Sequence, residues 1–134
     1  MFRFLLDTNI CIYLIKNHPH EVLETFRQYT PKEIAISSIT VFELEYGIQK
    51  SRYLEQSRNA LSKFLLPLNM VMFDDAAASE SASIRAELEK KGTPIGPFDL
   101  LIAGIARSMN MTLVTNNIKE FSRVKKLKLE NWAG

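Results

Sequence analysis

The sequence has one cysteine, few glycines and prolines, and no long apolar run. With Cys11 alone among 134 residues, an intrachain disulfide is excluded, and we expect a reducing compartment such as the cytoplasm. Five glycines and five prolines are too few for a collagen-like or low-complexity chain. The apolar start from Phe2 to Leu6 is interrupted by Asp7 before it reaches the length of a secretory signal, and no later run approaches the ~20 apolar residues of a membrane helix.

The composition is that of an ordinary folded domain, with 46% hydrophobic and 24% charged residues. A chain of this length can bury about two thirds of the surface that it exposes when unfolded. We therefore predict a single domain over residues 1–134. The net charge of +2 is too small to indicate nucleic-acid binding by itself. Positive charge is nevertheless concentrated from Lys119 to Lys128, for which a solvated surface is the simplest interpretation.

Apolar periodicity divides the chain into short strands that alternate with helices. The predicted strands are Phe2 to Leu6, Ile34 to Ile36, Met70 to Phe73, Thr112 to Val114 and Leu127 to Leu129. Helices are predicted after Asp7-Thr8-Asn9, with Ile10, Tyr13 and Leu14 on one side, and then at 21–29, 39–49, 53–65, 75–91 and 98–109. Such alternation with short connections favours a parallel sheet between two helical layers. The predicted class is α/β, with a short, mainly parallel sheet of four to five strands.

Three acids fall where such a sheet places its functional residues, outside the carboxyl ends of the strands. Asp7 directly follows the first strand, Glu43 lies early in the helix after the second, and Asp99 lies in the first turn of the helix before the fourth. Asn117 and Glu120 follow the fourth strand. Carboxylates brought together repel one another, so we expect a divalent cation, and oxygen ligands suit Mg²⁺ or Mn²⁺. The lack of a second cysteine or a spaced histidine pair argues against zinc.

Each of these residues also has an ordinary structural explanation. Asp7 can cap a helix, Glu43 can be solvated, Asp99 can be favoured by the helix dipole, and Asn117 can form a turn. Taken singly, the ordinary explanation is the better one for each, and only their joint position favours a site. Thr115, just past the fourth strand, has two equal interpretations: it hydrogen-bonds an acid or a phosphate, or it caps the following turn.

Four ordered blocks of residues carry a resemblance to a known family. They are Phe4-Leu5-Leu6-Asp7-Thr8-Asn9; Ser38 to Glu43 with Leu44 and Gly47; Ile95-Gly96-Pro97-Phe98-Asp99 continuing to Ala103; and Leu113-Val114-Thr115-Asn116-Asn117 with Glu120 and Phe121. One block alone would be a weak signal, whereas four in order are specific. From Phe2 to Trp132 the chain resembles the PIN-domain ribonucleases, specifically the VapC-type toxins of bacterial toxin–antitoxin pairs.

The resemblance implies a PIN-like three-layer domain and an acidic metal site that hydrolyses RNA by metal-activated water. Asp7, Glu43 and Asp99 match the family's three central acids. Asp7 and Asp99 would hold Mg²⁺, or Mn²⁺, most directly, and Glu43 would ligate it or act through water. Many relatives have Asp where this chain has Asn117, although some VapC-like proteins carry the Thr-Asn-Asn form with a nearby Glu, as Glu120 stands here. Since an amide oxygen adds no negative charge, a second tightly held ion is less well supported than the first.

The resemblance also implies a substrate and partners. The substrate would be RNA, with the anticodon loop of initiator transfer RNA as the specific expectation, and the basic stretch with Arg85, Lys90 and Lys91 would attract its backbone. A cognate VapB-type antitoxin would lie across the nuclease, and homodimers and higher toxin–antitoxin assemblies are common in the family. The candidate residues for the antitoxin groove are Phe42, Tyr46, Leu61 and Leu65, of which at least half are expected to pack in the core instead.

Two other function classes stay open at this point. A phosphatase with an aspartyl nucleophile would use a similar sheet and Mg²⁺, but such enzymes usually carry a second Asp two residues after the first, where Asn9 stands. A non-catalytic RNA- or protein-binding domain would use the acids only as caps and surface charge. Cys11 is expected to be a buried helix residue, and Trp132 is expected to pack the C-terminus.

Overall fold

The computed structural model describes residues 2–134. Its strands are β1 (Phe4–Leu6), β2 (Ile34–Ser37), β3 (Asn69–Val71), β4 (Thr112–Val114) and β5 (Lys128–Glu130). Its helices are α1 (Thr8–Lys16), α2 (His20–Arg27), α3 (Ser38–Gln49), α4 (Leu54–Leu65), α5 (Asp75–Lys90), α6 (Pro97–Ser108) and α7 (Ile118–Phe121), and a 3-10 turn, Pro31–Glu33, precedes β2. The predicted α/β class is confirmed, whereas the short helix α7 was not predicted.

The five strands form one sheet in the order β3-β2-β1-β4-β5, and each neighbouring pair is parallel. The chain first builds outward from β1 through β2 and β3, and then returns to place β4 on the other side of β1. The strand order therefore reverses between β1 and β4, which is where open α/β sheets form their ligand crevice. Leu6 is paired with Val114, so Asp7 and Thr115 leave the sheet side by side.

Alternate strand residues feed two apolar layers on opposite faces of the sheet. Leu5 faces one layer, to which α5, α6 and α7 contribute Ile84, Ile102 and Phe121. Phe4 and Leu6 face the other layer, to which α1, α3 and α4 contribute Ile10, Leu44 and Leu61. Because the central strands are buried on both faces, their sequences are continuous apolar runs, which is why they were recognisable.

Local chemistry sets several helix ends. Ser37 caps α3 by accepting a hydrogen bond from the Thr40 amide at 3.0 Å, and Asp74 caps α5 by accepting one from the Ala77 amide at 2.9 Å. The first helix ends at Lys16, because Asn17 adopts a left-handed conformation with φ 56°. Other predicted ends are displaced by one or two residues.

Two single residues behave as predicted. Cys11 is fully buried on α1, and this burial raises the pKa of its thiol well above the ordinary value, so it is a poor nucleophile. Trp132 is buried and stacks on Tyr29 with ring centroids 5.8 Å apart, which anchors the end of the chain to the second apolar layer. Within residues 2–134, no helix combines the length and hydropathy needed to cross a bilayer.

Packing of α5 against α6 depends on Gly104. A Cβ atom there would collide with Ser81 Oγ and lie 3.0 Å from the Ala77 carbonyl oxygen, whereas one at Gly47 in α3 would meet nothing within 4 Å. We expect Gly104→Ala to lower the free energy of unfolding by about 1–3 kcal/mol through overpacking. The matched control, Gly47→Ala, should raise it by about 0.5–1 kcal/mol, because Ala is the better helix former. Urea unfolding measures both, and a neutral Gly104→Ala would contradict this account of the packing.

Candidate active site

The buried carboxyl group of Asp7 lies at the centre of the site. Asp7 follows β1, caps α1 and is only 4% exposed. Its Oδ1 accepts a hydrogen bond from the Thr8 amide, and its Oδ2 accepts one from the Thr115 hydroxyl, both at 2.8 Å. Burial raises the pKa of Asp7, these two hydrogen bonds oppose the rise, and the charge of Glu43 adds to it. Asp7 is therefore a helix cap and also part of an acid cluster.

Thr115 fills both roles considered for it. Its buried hydroxyl donates to Asp7 and accepts a hydrogen bond from the Asn117 amide at 2.9 Å, so it contacts an acid and also closes the turn after β4. Asn117 directly precedes α7, the single helical turn that carries Glu120. The Thr115 hydroxyl thus connects the segment that carries Asn117 and Glu120 to the carboxylate of Asp7.

Glu43 reaches the site from α3 and is held by a threonine on α1. The Thr8 hydroxyl donates to Glu43 Oε1 at 2.6 Å and lies 3.1 Å from the hydroxyl oxygen of Thr40. Neither Thr8 nor Thr40 was predicted to belong to the site. The available signal was their position, because each occupies the first turn of a helix beside a candidate acid, where a hydroxyl is ordinarily interpreted as a cap.

The acids influence one another most strongly at Asp99, in the first turn of α6. Asp99 is half-buried, and this burial together with the charges of Asp7, Glu120 and Glu43, in that order, raises its pKa to about 6. Four acids from four different elements therefore act on one another, as their positions at the strand ends predicted. The part of Glu120 in this cluster depends on α7, which turns the chain back toward Asp99.

The donor set fits a hydrated divalent cation. Over residues 2–134, no three His, Cys, Asp or Glu side chains are gathered closely enough to ligate one ion directly. Mg²⁺ commonly keeps several waters and takes only one or two carboxylates from a protein. Burial and, after it, the neighbouring negative charges raise the pKa of Asp99, and a divalent cation would neutralise those charges. The three-carboxylate ligand set of Asp7, Glu43 and Asp99 stays a prediction.

Some of the basic residues expected to attract RNA form ion pairs on α5. Arg85 pairs with Glu89 at 3.2 Å, and Lys91 and Lys125 pair with Glu87 at 3.3 and 3.6 Å. Exposed pairs of this kind are weak, typically about 0–1 kcal/mol. They therefore leave these cations able to exchange their partners for the phosphates of a polyanion.

A groove of about 570 Å³ opens beside Glu43 between α1, α3 and α4. Its apolar walls are formed by Ile12, Ile15, Leu44, Ile48, Ala60 and Leu61. The groove also includes Lys16 at the end of α1, so an apolar channel is bordered by one acid and one base. Its shape suits an extended or helical peptide segment with apolar side chains.

Only one of the four residues predicted for this groove lines it. Leu61 does so, Leu65 is half-buried and packs against the core, and Phe42 and Tyr46 are 54% and 57% exposed on α3. The expectation that at least half would pack in the core is therefore met, whereas Phe42 and Tyr46 lie outside this groove and stay predictions as antitoxin contacts. Each directly precedes a groove residue of α3, Glu43 or Gly47, and is rotated by about 100° from it around the helix, so its side chain lies outside the groove.

Comparison with known proteins agrees with this architecture. The family described as PIN domain matches residues 4–127. The chain belongs to the PIN-domain family. The tRNA(fMet)-specific endonuclease VapC of Shigella flexneri is 46% identical over 99% of this chain and 100% of that protein. The Salmonella typhimurium protein of the same name is 44% identical over 98% of this chain and 99% of its own length.

Solved structures of similar sequence share the fold of this chain. DNA-bound VapBC from Salmonella typhimurium contains a chain with a TM-score of 0.93 and 43% identity, covering 98% of this chain and 99% of that one. VapBC2 from Rickettsia felis, bound to a promoter fragment, gives a TM-score of 0.90 and 44% identity with the same coverage. PIN-domain ribonucleases generally depend on a divalent metal ion, which accords with the acid cluster around Asp99.

The acid cluster leads us to expect a pH dependence of stability in the metal-free protein. Because the pKa of Asp99 rises from 3.8 to about 6 on folding, the folded state binds a proton that the unfolded state releases between these values. This group therefore lowers stability as the pH rises through that interval, and Asp7 acts with the same sign.

Urea unfolding in chelator at a series of pH values tests this expectation. Relative to wild type, Asp99→Asn should gain stability as the pH is raised from 4 to 7. Added Mg²⁺ should stabilise wild type more at pH 7 than at pH 5, because protonated carboxyls bind it poorly. Parallel pH profiles for wild type and Asp99→Asn would rule out Asp99 as the source.

Proposed function

We propose that this chain is the toxin of a toxin–antitoxin pair and a divalent-metal-dependent endoribonuclease that hydrolyses phosphodiester bonds in RNA. The observation that carries the proposal is the convergence of Asp7, Glu43 and Glu120 on Asp99 at the β1/β4 crevice, where burial and then these three charges raise the pKa of Asp99. Mutually repelling carboxylates in a cleft are costly to a fold and are typical of functional sites. The curated relatives in Shigella flexneri and Haemophilus influenzae are named as an endonuclease and ribonucleases, which supports the proposal.

The acids have different proposed roles. Asp7 and Asp99 would hold Mg²⁺ most directly, with Mn²⁺ as a substitute, and Glu43 would ligate it or act through water. When bound, the ion lowers the pKa of water and counters the charge that develops on the phosphate. Glu43 can orient a water molecule with the oxygen that Thr8 does not hold. Asn117 and Glu120 would complete the outer shell of the metal site, and Asn117 would do so through its amide oxygen.

The proposed substrate is the anticodon loop of initiator transfer RNA, in the cytoplasm. The relatives from Shigella flexneri and Salmonella typhimurium are named for tRNA(fMet). A recessed acid cluster requires a strand that can leave the stacked helix, and loops provide one. The basic residues at 119–128, with Lys90 on α5, would supply affinity for the backbone without reading sequence.

We propose that a VapB-type antitoxin places an apolar segment in the groove between α1, α3 and α4. The structural relatives from Salmonella typhimurium and Rickettsia felis are VapBC complexes. Because Glu43 lies at the edge of the groove, a cationic residue on that segment would pair with the acids while its apolar residues fill the channel. We also propose that this chain forms a homodimer within a higher toxin–antitoxin assembly.

Two alternatives fit the geometry less well. An aspartyl phosphatase usually carries a second Asp two residues after the nucleophile, and here Asn9 stands at that position. In a purely binding domain, nothing would require four acids from separate elements to approach one another against their repulsion.

Loss of a central acid should abolish cleavage without unfolding the protein. We expect Asp7→Asn and Asp99→Asn to lower kcat at least about 100-fold, because the cation loses a charged ligand. The matched control is Asp75→Asn, an exposed acid at the start of α5, which should cleave like wild type. The measurement is sequencing of new RNA ends after incubation of total RNA with Mg²⁺. Cleavage that survives in chelator or in Asp99→Asn would contradict the site, and phosphate release from a small monoester would favour the phosphatase.

Blocking the groove should separate inhibition from cleavage. Ala60 lines the groove on α4, whereas its neighbour Asn59 is exposed outside it. We expect Ala60→Arg to weaken binding of the cognate antitoxin at least about tenfold, because a bulky cation fills the channel, while Asn59→Arg binds normally. Isothermal titration measures binding, and both variants should cleave RNA when free. Equal binding by the two variants would exclude this groove as the antitoxin site.

A further inference from the structure

Thr8 contacts two acids that the chain brings from different elements. Its backbone amide donates to Asp7 Oδ1 at 2.8 Å, and its hydroxyl donates to Glu43 Oε1 at 2.6 Å. Thr8 is thus the residue through which the first carboxylate, after β1, is connected to the second, on α3. No ion pair is recorded for either Asp7 or Glu43 within residues 2–134, so hydrogen bonds hold them in place.

The Thr8 hydroxyl has two acceptors within reach, the Glu43 carboxylate and the Thr40 hydroxyl. An ionised carboxylate can only accept, so Thr8 must donate its single proton to Glu43. The Thr40 hydroxyl oxygen, 3.1 Å from Thr8 Oγ1, is a second and more distant acceptor for the same proton. Thr40 is fully buried, and its backbone is fixed because its amide donates to Ser37 at the start of α3. Thr40 therefore contacts the Thr8 hydroxyl from the buried side, and the shorter hydrogen bond to the charged Glu43 oxygen takes the Thr8 proton.

Such a connection opposes a repulsive arrangement. Glu43 is half-buried, and its charge contributes to the raised pKa of both Asp7 and Asp99. A flexible Glu side chain under this repulsion would turn toward solvent unless a donor retained it. A hydrogen bond to a charged acceptor is roughly twice as strong as one between neutral groups, so one well-placed hydroxyl suffices to change the preferred rotamer.

We propose that Thr8 is a positioning residue whose hydroxyl retains the Glu43 carboxylate beside Asp7, so that both are presented together to a divalent cation. This inference rests on the proposed function, since it assigns Thr8 a role at the same metal site. Thr8 does not touch the substrate in this account. It acts through Glu43, and its loss should therefore affect cation binding and kcat more than the KM for RNA.

The test compares Thr8→Val, which keeps the shape and loses the hydroxyl, with Thr8→Ser, which keeps the hydroxyl. The matched control is Thr25→Val on α2, where the hydroxyl donates to the Glu21 carbonyl at 3.0 Å away from the site. Mn²⁺ binding is followed by the electron paramagnetic resonance of the free ion without RNA. We expect Thr8→Val to weaken Mn²⁺ binding and lower kcat by roughly 10-fold or more, with Thr8→Ser close to wild type and Thr25→Val unchanged.

A double-mutant cycle with Glu43→Ala shows whether Thr8 acts through Glu43. In the Glu43→Ala background, Thr8→Val should weaken Mn²⁺ binding by less than about twofold, because the partner is already absent. A full loss in that background, or failure of Thr8→Ser to restore binding, would overturn the proposal. So would wild-type Mn²⁺ affinity and kcat in Thr8→Val. If Thr8→Val unfolds, Thr8→Ala, which is smaller and cannot overpack, takes its place in every comparison.

The outcomes for Thr8 and for the nuclease are separable. If wild type cleaves RNA and Thr8→Val equals it, the role of Thr8 is wrong and the proposed function stands. If wild type binds Mn²⁺ but cleaves no RNA, the nuclease is wrong, and the Mn²⁺ measurements still decide the role of Thr8. If wild type binds no Mn²⁺, both fail.

Discussion

The structure of the site depends on the solvation of one buried carboxylate. Asp7 is removed from water by the sheet and by α1, and an ionised group in that position is unfavourable unless donors replace the lost water. The Thr8 amide and the Thr115 hydroxyl supply these donors. The first requires α1 to begin at once after β1, and the second requires β4 to lie beside β1. The helix start and the strand order that create the crevice are therefore the same features that supply hydrogen-bond donors to Asp7.

Electrostatic repulsion in the crevice is maintained by packing elsewhere. Asp99 could lower its free energy if α6 moved away from β1, but α6 is held against α5 where Gly104 allows close contact with Ser81. The position of Asp99 in the first turn of α6 offsets part of the repulsion, because the helix N-terminus favours negative charge. The acids are thus held together by apolar layers on both faces of the sheet, and a cation would lower the free energy of an arrangement that the fold already imposes.

The parts of this structure that were predictable from sequence are those with a repeated physical signal. Strands buried on both faces leave apolar runs, so β4 was predicted with both of its bounds, and the acids at strand ends were found because parallel strands deliver their carboxyl ends to one edge. Helix α7 has only four residues and too few turns to show periodicity. Thr8 and Thr40 were missed because a hydroxyl in a first turn is ordinarily a cap. Phe42 and Tyr46 have the helical spacing of core residues, and only the packing of α4 beside α3 decides which apolar side of α3 is covered.

Helix α3 links the proposed chemistry to its proposed restraint. Glu43 and Leu44 are consecutive, so the helix that presents an acid to the crevice also forms a wall of the apolar groove. The opposite wall is α1, whose first residue, Thr8, holds Glu43 by its hydroxyl. A segment bound in the groove would therefore contact the two helices that together set the position of this acid. Inhibition by such a segment needs no rearrangement of the sheet. Glu43 borders the groove, so a segment bound there can also neutralise its charge.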